Sequence, residues 1–67
     1  PEVGVVAGRR VGNAVRRNRA KRRLRAAAAQ APLRPGRAYV IVAGPEVVDA
    51  PFTALASWVT DAVAGTA

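Results

Sequence analysis

The chain has 67 residues, which is room for one small domain with a thin core, because so short a chain buries too little surface to be comfortably stable alone. Eleven Lys and Arg against four Asp and Glu give a net charge of +7 and a pI near 11.8, which points to a polyanionic partner, nucleic acid before anionic membrane. The absence of cysteine and histidine removes a disulfide framework, a thiolate metal site, the usual general base and the commonest metal ligand.

Pro1-Glu2-Val3 opens the chain without an initiator methionine and runs directly into strand-like sequence, so a start inside a longer domain is expected. Residues 3–9 (VGVVAGR) are apolar and β-branched and predict a first strand. Gly12-Asn13 then punctuates the chain. Asn13 is a helix N-cap, and nothing between Ala14 and Ala31 breaks a helix, so the basic helix is placed at 13–31. Pro32, Pro35 and Gly36 end it.

Residues 37–43 (RAYVIVA) form the clearest strand, apolar on both faces as a covered central strand would be. Gly44-Pro45 closes it. A second helix follows at 52–64, where Phe52, Leu55, Ala56, Val59, Ala62 and Val63 recur at helical spacing as a core-facing stripe. Pro51 suits its first turn. The order strand, helix, strand, helix predicts an α+β fold in two layers, helices against a sheet, within a single domain spanning 1–67.

Charge is concentrated in one place. Nine of the eleven basic residues lie between Arg9 and Arg25, and all four acids lie outside that stretch. Like-charged pairs such as Arg19 with Arg22 and Arg23 each weaken the helix, an arrangement that an external anion relieves. Ten of the eleven are arginine, whose planar fork grips phosphate and stacks on bases. Ala20, Leu24, Ala27 and Ala31 form a narrow apolar seam. Asn18, Arg22 and Arg25 lie to one side of it, with Arg19 adjacent. Arg16 and Arg23 lie on the other flank, and Arg17 and Lys21 near its edge. Charge alone leaves three readings open: RNA binding, general nucleic-acid coating, and a membrane-active helix. The last suffers from a seam with Leu24 as its only large member.

The order of residues says more. Arg10-Val11-Gly12-Asn13-Ala14-Val15-Arg16-Arg17-Asn18-Arg19-Ala20-Lys21-Arg22-Arg23-Leu24-Arg25 resembles the signature of the ribonuclease P protein family. Arg17, Asn18, Arg19, Lys21, Arg22 and Arg25 fall on its fixed polar positions, and Arg10 stands where lysine is usual. The resemblance implies an α-β sandwich with a left-handed strand–helix–strand crossover, against the right-handed rule. It implies that the chain is the C-terminal portion of a protein with a further helix and two strands upstream. It also implies a job: assisting a catalytic RNA in removing the 5′ leader of precursor tRNA in the bacterial cytoplasm. In that picture the RNA performs the chemistry with Mg2+, and the protein holds no cofactor of its own. Its partners are ribonuclease P RNA and precursor tRNA, with no membrane and no small-molecule substrate. The RNA-contacting set becomes Arg10, Asn13, Arg16, Arg17, Asn18, Arg19, Lys21, Arg22 and Arg25, with no catalytic residue. The alternative is a general basic nucleic-acid-binding protein, ribosome-associated or DNA-coating, using the same helix.

Two departures carry expectations. Ala26-Ala27-Ala28-Ala29 ends the helix where relatives often have a large residue, so packing there should be thinner. Gly8 and Gly44 replace a commoner serine and arginine, removing one phosphate contact. Three further features have rival readings. Gly12 is either a turn or a phosphate-facing backbone. Tyr39 and Trp58 are expected in the core and half-buried respectively, against base stacking. Glu46 and Asp49 are weak candidates for a water-bridged Mg2+.

Overall fold

A computed structural model describes residues 1–65. Strand β1 (Glu2–Val6) leads through a 3-10 turn (Arg9–Val11) into helix α1 (Ala14–Ala29). Strand β2 (Ala38–Val42), a second 3-10 turn (Pro45–Val48) and helix α2 (Phe52–Gly65) follow. The β-α-β-α order and the helix-on-sheet layering are as the sequence predicts. The first strand is shorter than expected. It stops at Val6, because Arg9 and Arg10 are drawn into the 3-10 turn that closes with Val11 N–H on Gly8 O at 3.1 Å.

β1 and β2 pair in parallel, Val3 opposite Tyr39 and Val5 opposite Ile41, making β1–α1–β2 a crossover unit. The side-chain period of two decides what each strand offers. Val3, Val5, Tyr39 and Ile41 turn inward and are half-buried, while Val6, Val40 and Val42 turn outward. The second strand was expected to be covered on both faces. Here both helices lie on one side of the sheet, so Val40 and Val42 are each 73 % exposed.

Local chemistry sets the helix boundaries. Asn13 Oδ1 accepts the Arg16 N–H at 3.0 Å and so satisfies one of the orphan donors of α1's first turn. At the other end, Gln30 N–H turns back to Ala27 O and Ala31 N–H to Ala28 O, each at 3.1 Å. Pro32 has no N–H to continue the ladder and pushes Ala31 out of helical conformation, which stops α1 at Ala29. The chain reverses at Arg34-Pro35-Gly36-Arg37, where Arg37 N–H reaches Arg34 O at 3.3 Å and Gly36 has φ +80°. Proline followed by a positive-φ glycine is the demand of a type II turn.

The core is built from small pieces. α1 contributes Ala20, Leu24, Ala27 and Ala28, and α2 contributes Leu55, Val59 and Val63. Val11, Ala43, Val47 and Val48 come from the connections. Each alanine brings little apolar area, so Leu24 and Leu55 are the largest core contributors from the two helices, roughly 1.5–3 kcal/mol each. The expected α2 stripe holds at Leu55, Val59 and Val63, with Ala56 half-buried, and fails at Phe52 and Ala62, which are exposed. A hollow lined by Val3, Arg25, Ala28, Ala29 and Leu33 lies beside the alanine-rich end of α1, where thin packing was anticipated.

Candidate nucleic-acid interface

Once Ala20, Leu24, Ala27 and Ala28 face the core, the geometry of a helix sends the remaining α1 side chains to solvent or to the flanks. Val15, Asn18, Lys21, Arg22 and Arg25 surround one open hollow on the outward face. None of the four polar members has a side-chain hydrogen bond or ion pair among the described residues. They thus present three cationic heads and an amide, all unspent. Val15, 75 % exposed in their midst, adds an apolar contact surface. Arg17, expected near the edge of the seam, is half-buried. Its Nε is enclosed without a partner among the described residues. Arg10 lies apart from α1, exposed on the first 3-10 turn.

The other flank of the same helix behaves differently. Arg23 donates from Nη1 to Val47 O at 2.9 Å and to Val48 O at 2.7 Å, and from Nη2 to Ala50 O. Arg19 donates from Nε to Val48 O at 3.0 Å. The Val47 and Val48 carbonyls end the second 3-10 turn and Ala50 O follows just beyond it; the last C=O groups of such a turn have no partner within it and carry partial negative charge. Arg16 folds back over the first turn, with Nε on Val11 O at 3.2 Å and Nη2 3.5 Å from Asp49 Oδ2. Three arginines therefore fasten α1 to the two 3-10 turns. Arg23 was not expected to have any such role. The signal lay in its position on the seam's flank, but its acceptors are 24 to 27 residues away in sequence.

Gly12 is needed for the Arg16 arrangement. Its φ of +130° suits glycine, and a Cβ there would lie 2.7 Å from Arg16 Cδ. Its N–H is spent on Arg9 O at 3.1 Å, so the turn reading applies and not the phosphate-facing one. Asn13 likewise uses its carbonyl oxygen in capping and keeps only the amide N–H donors for a ligand. Asp49 faces Arg16, and no cluster of three or more metal-ligating side chains occurs among the described residues. Tyr39 is half-buried rather than fully in the core, with its hydroxyl accepting the Arg34 N–H at 3.0 Å. Trp58 is 47 % exposed, as its place beside the α2 stripe predicted.

Chemically, the outward face of α1 is a strip of guanidinium and ammonium donors without internal counter-ions. It suits a ladder of phosphates. Among the described residues no helix is long and apolar enough to cross a membrane.

Comparison with known proteins agrees with the signature. The family model described as Ribonuclease P matches residues 1–66. The ribonuclease P protein component of Chloroflexus aurantiacus is 48 % identical over 60 residues, covering 85 % of this chain and 44 % of the relative. That of Bartonella quintana is 48 % identical over 58 residues, covering 82 % and 44 %. The chain thus spans less than half the length of these relatives. No solved structure matches significantly.

Proposed function

The chain belongs to the ribonuclease P family, and from that premise we propose that it docks the protein component of ribonuclease P onto its catalytic RNA. The enzyme so assembled removes the 5′ leader of precursor tRNA in the bacterial cytoplasm. The observation that carries this reading is the outward face of α1, where Asn18, Lys21, Arg22 and Arg25 converge with no side-chain hydrogen bond or ion pair among the described residues. Lys21, Arg22 and Arg25 neutralise phosphates, each releasing condensed counter-ions, while Asn18 and the Asn13 amide add hydrogen bonds to phosphate or sugar. Arg10 and Arg17 extend the strip. Arg19 contributes its terminal nitrogens and Arg16 the part of its fork not facing Asp49. In this proposal the RNA, with Mg2+ bound to it, performs the hydrolysis. A chain without histidine has no imidazole to serve as general base, and its arginines instead fix the position of the RNA. No observation favours the wider role of a general nucleic-acid coat.

Reconstitution tests the proposal. The whole protein, mixed with a bacterial ribonuclease P RNA at low Mg2+, is expected to accelerate cleavage of precursor tRNA over RNA alone. Absence of any acceleration would overturn it.

A further inference from the structure

Resting on the RNA-docking reading, we propose that the hollow between α1 and the start of α2 seats a single unpaired nucleobase of the bound RNA, stacked on Phe52. The hollow is lined by Arg19, Arg22, Arg23, Ala26 and Phe52, and it holds about 430 Å³ of open space, within the range of small-molecule clefts.

Four observations converge on it. Phe52 stands at the first position of α2, ahead of the Leu55, Val59 and Val63 stripe that meets the core, and it remains 36 % exposed. It shares a hollow with Arg19, Arg22 and Arg23 of α1. Arg23, held by the carbonyls of Val47, Val48 and Ala50, fixes one wall of the hollow. Arg19 is pinned only through Nε on Val48 O, which leaves its two terminal nitrogens free of partners among the described residues. Arg22 lines both this hollow and the outward one, so a strand whose phosphates run along α1 passes the mouth of the Phe52 site.

Physical chemistry selects the occupant. A phenyl ring beside guanidinium groups favours a flat, polarizable ligand next to an anion, which describes a nucleobase attached to its phosphate. A base within a duplex has both faces covered by its neighbours, so only a base splayed from a bulge, loop or end can enter. The ring reads no hydrogen-bond edge, so the site takes any base, and the gain is affinity for an irregularity in the RNA rather than for a sequence.

The test uses the whole protein with two blunt RNA duplexes, identical except that one carries a single bulged adenosine. Wild type is expected to bind the bulged duplex more tightly. Phe52→Leu, which keeps apolar bulk at the start of α2, should lose about ten- to a hundredfold on the bulged duplex and nothing on the regular one. Phe52→Trp should restore the preference. With 2-aminopurine in the bulge, wild type and Phe52→Trp should quench its emission and Phe52→Leu should not. A wild-type protein indifferent to the bulge, or a Phe52→Leu variant that retains the preference, would overturn the nucleobase seat. Arg22→Ala and Arg25→Ala serve as the separate control, since they should weaken both duplexes. If they weaken neither, the RNA-docking reading itself fails.

Discussion

The two sides of α1 carry nearly the same sequence chemistry and do different work. On one, Asn18, Lys21, Arg22 and Arg25 make no side-chain hydrogen bond or ion pair among the described residues. On the other, Arg16, Arg19 and Arg23 grip the carbonyls of Val11, Val47, Val48 and Ala50. A net charge of +7 treats all of these residues alike. The difference arises because a guanidinium has five donors in a rigid fork, and such a fork serves the ends of 3-10 turns as well as it serves phosphate. Counting arginines therefore overstates the interface and understates what holds a thin alanine core together.

Substitutions separate the two sides, beginning with the largest expected effect on folding. Arg23→Ala strands the carbonyls of Val47 and Ala50, leaves Val48 O to Arg19 alone, and should cost about 2–3 kcal/mol of stability, read by urea unfolding. Arg23→Lys should recover only part, because an ammonium group lacks the fork that spans the three. Gly12→Ala should cost roughly 1–3 kcal/mol, combining a backbone that disfavours a side chain with displacement of Arg16. Its calorimetric midpoint should fall while the contribution of Lys21, Arg22 and Arg25 to RNA affinity persists. Asp49→Asn should change stability by less than about 0.5 kcal/mol, since the Arg16 pair is exposed at 45 % and 75 %. It should nonetheless tighten RNA binding slightly at low salt, because a repelling charge beside the helix is gone. A large stability loss from Asp49→Asn would show that the pair, and not the carbonyl contacts, fastens this flank.

What was legible in the sequence was local. Asn13 caps α1 because an N-cap is decided within three residues, and Pro32 stops the helix by its own covalent geometry. The seam of Ala20, Leu24 and Ala27 followed from helical spacing, with Ala28 replacing Ala31 because the helix ended two residues early. The signature from Arg10 to Arg25 was legible as an ordered string, and the family match agrees with it. What was not legible depends on distant partners. The turn at Pro45–Val48 has a weak sequence pattern of its own and is held from outside by Arg19 and Arg23. That Arg16 also folds back onto Val11 O and Asp49 was not legible, because Asp49 lies 33 residues away along the chain. Val40 and Val42 have the composition of a buried strand, and composition does not say on which side the helices settle.

The central claim is that one face of α1 binds RNA while the opposite flank holds the fold. Its most direct test is the salt dependence of RNA affinity in the whole protein, comparing wild type, the Arg22→Ala/Arg25→Ala pair and Arg23→Lys. The doubly substituted protein should unfold at the wild-type midpoint and show a slope of log affinity against log salt that is shallower by roughly one unit per arginine removed. Arg23→Lys should unfold earlier and keep the wild-type slope under conditions where it is folded. An unchanged slope in the Arg22→Ala/Arg25→Ala protein would contradict the claim.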